Sequence, residues 1–203
     1  MKLRSSIAII LAVIVSSPVG AKADGACDWQ RISAPATVTS VTGDVSARTG
    51  GGDWCDAAVG LKLVVNDDIH TGPDSVAVVT FLDGSVLNVY QLSETAIGDV
   101  SATPNRPKIR MLLKMGEIAA EVNHEVDRQA DFAIRTPNQT ASVRGTKFVI
   151  AYDPGDDTTL IRVDEGQVLV TPENTAFKPM VVPAHWLVSV SSEGVKVENP
   201  PVP

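Results

Sequence analysis

The stretch TPNQTASVRGTKFVIAY, residues 136–152, opens as a Pro-Asn turn, continues as an alternating strand, and carries Arg144-Gly145-Thr146 in its middle. Apolar residues occupy odd positions before the triplet (Ala141, Val143) and even positions after it (Phe148, Ile150, Tyr152). Side chains on a strand alternate strictly, so a change of parity requires a bulge or kink. Gly145 stands where the change must occur and accepts an unusual φ at little cost. Arg144 is then turned away from the core, where a guanidinium wants a carboxylate held in a fork. The next strand supplies Glu165, after Asp164 and before Gly166. Arg144, Gly145, Thr146, Glu165 and Gly166 therefore read as one structural motif, with Arg144 expected to pair with Glu165.

The same period-2 pattern recurs at 36–48, 75–90, 159–172 and 185–198. Each run is rich in Val, Ile, Thr or aromatics and is broken by Gly, Asp, Asn or Pro, the signature of strands and hairpins. Turns of one kind return at Gly43, Gly84, Gly116 and Gly166, and their unequal spacing excludes a strict repeat. The fold class is all-β: an irregular stack of short strands and hairpins, twisted and solenoid-like or sandwich-like. The run KIRMLLKMGEIAAEVNHEV (108–126) has helix-forming composition, but the parity of Ile109, Met111, Leu113 and Met115 and the central Gly116 favour strand, turn, strand. The segment SATPNRP (101–107), with two prolines and no periodicity, is expected to link lobes 36–100 and 108–198.

The chain begins with Lys2 and Arg4, an apolar run from Ile7 to Val15, and the small-residue site Ala21-Lys22-Ala23. That order specifies a secretory signal peptide over residues 1–23, and the apolar run falls short of the roughly 20 residues a spanning helix needs. A lipoprotein site at Cys27 is disfavoured because Asp24-Gly25-Ala26 lacks the usual upstream aliphatic residue. Cys27 and Cys55 are the only cysteines, and an even count in an exported chain favours a disulfide tethering segment 24–35. Residues 199–203 read as a flexible tail. Of 17 basic residues, Lys2, Arg4 and Lys22 leave with the signal, so 14 face 24 acidic ones and the exported chain carries a net charge of −10. That balance argues against nucleic acid and anionic membrane surfaces as partners, and the expected location is the periplasm or the exterior.

Chemistry is sparse. The histidines, His70, His124 and His185, are far apart and lie in no metal-binding or triad frame. The acidic loop DPGDDTT (153–159) lacks the spacing of a calcium loop and reads as a solvated turn, as does VVNDDIHTG (64–72). Asn138-Gln139-Thr140 matches a glycosylation sequon. Phe81, Phe132, Phe148 and Tyr152 lie in apolar patterns and are assigned to the core, while Trp54 and Trp186 are read first as packing residues. No cofactor, metal or catalytic set is expected.

Five blocks taken together carry a family resemblance: LVVNDDIHTG (63–72), VAVVTFLDGSVLNV (76–89), MGEIAAEV (115–122), FAIRTPNQTASVRGTKFVI (132–150) and IRVDEGQVLV (161–170). In this order they resemble the FecR-type domain, named for the iron-dicitrate signalling regulator, over about residues 36–171. The resemblance implies an all-β periplasmic domain used for protein contacts rather than catalysis. Regulators of that kind place a cytoplasmic anti-sigma region and a transmembrane helix ahead of it, whereas only about six residues precede the apolar run here, so neither is expected. The resulting expectation is a non-enzymatic interaction or sensory module with an envelope protein as partner, one docking mode being a strand added to an open sheet edge. The alternative is a small-ligand or glycan-binding protein of the envelope.

Overall fold

The computed structural model describes residues 27, 29, 31, 33–103, 106–123 and 131–198. The expected signal peptide, the expected tail and His124 lie outside these residues. The described chain contains strands and no α-helix. In order they are β1 (Ala36–Thr42), β2 (Val45–Thr49), β3 (Cys55–Asp56), β4 (Lys62–Leu63), β5 (Asp67–Thr71) and β6 (Val76–Phe81). Then come β7 (Val86–Val89), β8 (Ser93–Thr103), β9 (Arg106–Glu121), β10 (Asp131–Thr136), β11 (Gln139–Val143) and β12 (Lys147–Asp153). The last are β13 (Thr158–Glu165), β14 (Gln167–Pro172), β15 (Met180–Pro183), β16 (Leu187–Ser191) and β17 (Gly194–Glu198).

All 17 belong to one open mixed sheet, which folds into two faces. The first face runs β3-β2-β5-β8-β9-β10-β11-β14-β15. The second runs β4-β1-β6-β7-β9-β12-β13-β16-β17. Only β9 serves both: Arg106 to Met115 pair with β8, and Gly116 to Glu121 pair with β7 and β12. β9 and β10 run parallel, and the other pairings among the described residues are antiparallel.

Three of the four glycine turns are therefore bends and not hairpins. At Gly43 the chain leaves the second face in β1 and enters the first in β2. At Gly116 a single strand bends from first face to second, and at Gly166 β13 passes into β14 on the other face. Only Gly84 closes a hairpin, between β6 and β7. The run 108–121 is correspondingly one bent strand, where strand, turn, strand is the sequence expectation. β8 and β9 stay in register from Ala102↔Pro107 to Thr103↔Arg106, so the sheet is continuous across 101–107 apart from residues outside the description.

Gly116 shows why the bend needs glycine. Its φ is +87°, and a Cβ there would lie 2.5 Å from the Cα of Ser93. The neighbouring hydroxyl holds the kink instead, since the Glu117 N–H donates to Ser93 Oγ at 2.9 Å. The Gly43 bend repeats the device, with the Asp44 N–H donating to Ser75 Oγ at 2.8 Å.

The core lies between the faces. Alternation buries Val38, Val79, Leu87, Ile118, Ile150, Ile161 and Val188 from the second face, and Ile69, Ile97, Met111, Ile134, Ala141, Val170 and Val182 from the first, in one cluster. Phe81 of β6 and Phe132 of β10 meet edge to face across it, centroids 6.3 Å apart. Each fully buried side chain of this size contributes about 1.5 to 3 kcal/mol, so this layer, more than the turns, holds the two faces together. Phe148 and Tyr152 are buried as expected.

Candidate interaction surface

The Arg-Gly-Thr triplet is one of the bends. β11 pairs within the first face and β12 within the second, so residues 144–146 carry the chain between faces. The parity change is real, with Ala141, Val143, Phe148 and Ile150 all buried. Its cause is a change of sheet face, whereas the sequence suggests a bulge within one strand. Gly145 has φ +56°, and buried Thr146 donates from Oγ1 to the Gln167 carbonyl at 3.0 Å. A Cβ on Gly166 would sit 3.0 Å from that same Oγ1. The two bends thus nest against each other, and Gly145, Thr146 and Gly166 are brought together.

Arg144 does not pair with Glu165. The first residue of β12, Lys147, stands opposite both Glu165 and Glu121, with Nζ at 3.5 and 3.3 Å from their carboxylates. The hydrogen bond to Glu121, then the field of both carboxylates, raises the Lys147 pKa above the ordinary lysine value. Arg144 is exposed and makes no ion pair among the described residues. It lies too early in the chain: Gly145 and Thr146 separate it from Lys147, the register position that faces Glu165.

Cys27 and Cys55 form the expected disulfide, with Cα atoms 5.0 Å apart. The Cys27 N–H donates to the Asp56 carbonyl at 3.1 Å, and Arg31 Nη1 donates to the Lys62 carbonyl at 2.8 Å. Cys27 and Arg31 thus anchor to the backbone of β3 and β4, the outermost strands of the two faces. Arg31 also reaches the fully buried carboxylate of Asp67, with Nη2 to Oδ1 at 3.1 Å, and its guanidinium lies 4.6 Å from the Trp29 ring centroid.

The outer surface of β2, β5, β8 and β9 carries a compensated charge ladder. Arg48 binds Asp68 and Glu94 at 2.7 and 3.1 Å, and Lys114 binds the same two carboxylates at 2.9 and 3.0 Å. Burial lowers the Lys114 pKa, but hydrogen bonds to Asp68 and Glu94 outweigh it and leave the ammonium above its ordinary value. Trp54 stacks over Arg48 at 4.3 Å and meets His70 edge-on at 5.8 Å. Asp67 and Asp68 are therefore buried ionic partners, where the sequence reads as a solvated turn.

Asn138 is likewise an internal connector. Its Nδ2 donates to the carbonyls of Asp157 and Val190, at 2.6 and 3.2 Å, while its Oδ1 accepts from Thr136 and Thr159 at 3.0 and 2.7 Å. The sequon's amide is consumed in joining three strands, β10, β13 and β16, to the turn between β12 and β13.

An open groove of about 960 Å³ lies on the other side of the β9 bend. It arises because β9 passes from the first face to the second at Gly116, while β12, paired with β9 up to Tyr152↔Gly116, continues past the bend to Asp153 and returns as β13. The hairpin end forms one wall, and the turns at Asp74 and at Tyr90–Leu92 form the other. Tyr90, Leu92, Met115 and Leu160 line it as exposed large apolar residues. The sequence gives no motif for any of these four.

A family model described as FecR protein matches residues 67–169, half of the chain. The chain belongs to the FecR family. The matched span of this FecR domain runs from β5 into β14 and contains every residue that lines the groove. Arg31, Arg48, Trp54 and the disulfide fall outside it. Two crystal structures of a candidate anti-sigma factor from Parabacteroides distasonis ATCC 8503, at 2.50 and 1.65 Å resolution, share the fold. Both are 20% identical over 66% of this chain, with TM-scores of 0.55 and 0.54. The FecR chain spans 59% of the length of those proteins. No curated protein matches it.

Proposed function

We propose that this FecR chain is an exported, non-enzymatic interaction module that acts in signalling or regulation at the cell envelope. The observation that carries this reading is the FecR match over residues 67–169, which covers the central strands and the groove. Three features support it. The leader-like residues 1–23 point to export; the Cys27–Cys55 bond suits an oxidising compartment such as the periplasm; and the excess of acidic residues disfavours nucleic acid.

The partner on this reading is an envelope protein. The test is crosslinking in intact cells followed by purification of the chain from the envelope fraction. A single protein recovered reproducibly, and absent when an unrelated exported protein is purified in the same way, is the expected result. Recovery of no specific protein, together with a saturable thermal shift from a glycan or small ligand, would replace the interaction reading with a ligand-binding one.

A further inference from the structure

The groove combines unpaired carboxylates, exposed apolar side chains and a left-handed backbone residue in one place. Asp74, Glu117, Asp153 and Asp156 all line it, all are exposed, and none makes an ion pair among the described residues. No Lys or Arg is among its lining residues. Uncompensated carboxylates grouped over an apolar floor create a potential that draws cations, and the effect is stronger in a cleft than on a flat face.

Leu92 is the most exposed of the groove's apolar residues. It holds φ +56°, a left-handed conformation that is strained for a bulky residue and that Gly or Asn would relieve. Its side chain is 53% exposed, so core burial does not offset that strain. What the strain achieves is presentation of a branched apolar side chain at the mouth of the groove. Exposed apolar residues clustered within a polar rim are the usual form of a docking site. Beneath them, burial and then the carboxylate of Asp157, with Asp153 and Asp156 adding their field, raise the pKa of the Tyr152 hydroxyl. The negative potential is thus felt by a neighbouring group.

We propose that this groove seats a Lys- or Arg-rich segment of a partner protein, with an apolar side chain of that segment against Leu92 and Leu160 and its cations against Asp74, Glu117, Asp153 and Asp156. The groove is open rather than closed, which suits a segment of a partner chain better than an enclosed small molecule. This assignment rests on the reading of the chain as an interaction module and specifies the chemistry of its partner.

The test uses the full exported chain and two fluorescein-labelled peptides, Lys-Leu-Lys-Phe-Lys-Leu and its counterpart with Glu at each Lys, followed by fluorescence anisotropy. The Lys peptide should bind about tenfold or more tightly than the Glu peptide at low salt. The ratio should shrink toward 1 M salt, where the screening length falls to about 3 Å. Asp153→Asn/Asp156→Asn, and separately Leu92→Asn, should each weaken Lys-peptide binding by about fivefold, a loss on the scale of one good contact. Asp164→Asn/Glu165→Gln removes the same two charges at the opposite end of β13 and should leave binding unchanged. Equal binding of the two peptides, or equal loss in the distal variant, overturns the proposal. In the cellular crosslinking experiment, a partner recovered equally by the wild type and both groove variants also overturns it while leaving the interaction reading intact. Loss of that partner from the groove variants alone supports it.

Discussion

The charge ladder on β2, β5, β8 and β9 and the groove beyond the β9 bend sit on the same sheet and both gather carboxylates, two in the ladder and four in the groove, yet they settle them in opposite ways. On the ladder, Asp68 and Glu94 are shared by Arg48 and Lys114, and Trp54 covers the guanidinium. In the groove, four carboxylates stand without a cation among the described residues, and Leu92 is held in a strained backbone. On the reading proposed above, the contrast separates structural chemistry from binding chemistry within one fold. Charges that serve stability are paired inside the chain, whereas those left unpaired beside exposed apolar side chains are available to something else.

The largest expected effect strikes what both regions share, the bend in β9. Gly116→Val drives a Cβ onto the Ser93 backbone at a positive φ, and should cost about 3 kcal/mol or more, read as a lowered denaturant midpoint. Arg31→Ala comes next. It strands the buried Asp67 carboxylate and should cost about 2 to 3 kcal/mol, less than the roughly 3 to 5 of a fully enclosed pair because Arg31 is partly exposed.

A smaller effect is set by pH. Lys114 and Tyr152 both have raised pKa values in the folded chain. Stability from such groups is present in full below their unfolded values, near pH 10, and is lost as pH rises through the folded ones. The melting temperature should therefore fall above about pH 10. Lys114→Arg, which stays protonated, should flatten the ladder's share of that fall, and Tyr152→Phe the groove's share.

Leu92→Gly should raise stability by about 0.5 kcal/mol by releasing backbone strain, an outcome opposite in sign to the ladder variants. Arg144→Ala should change stability by less than about 0.5 kcal/mol, because its side chain is exposed and unpaired. A loss of several degrees in its melting temperature would return Arg144 to a structural pairing role.

Local patterning made the strands legible. The inward positions of Phe148, Ile150 and Tyr152 follow from period-2 alternation, and so does the parity break at Gly145. What the break meant was not legible, because a bulge and a passage between faces change parity alike. They differ only in partners, and β14 and β9 are distant in sequence from the triplet. Gly116 posed the same ambiguity between hairpin and bend. Asp67 and Asp68 looked solvated because their cations, Arg31, Arg48 and Lys114, come from other elements. The groove left the least trace, since it is built by the overhang of β12 past the β9 bend and by a backbone torsion at Leu92, neither of which has a sequence signature.

The division between a structural face and a binding groove is tested most directly by measuring Lys-peptide affinity and melting temperature side by side on two variants, Glu94→Gln from the ladder and Asp153→Asn/Asp156→Asn from the groove. The account predicts that Glu94→Gln lowers the melting temperature and leaves affinity unchanged, while the groove variant loses affinity at an unchanged or raised melting temperature. Loss of affinity in Glu94→Gln, or a groove variant that melts earlier and still binds the peptide, would contradict it.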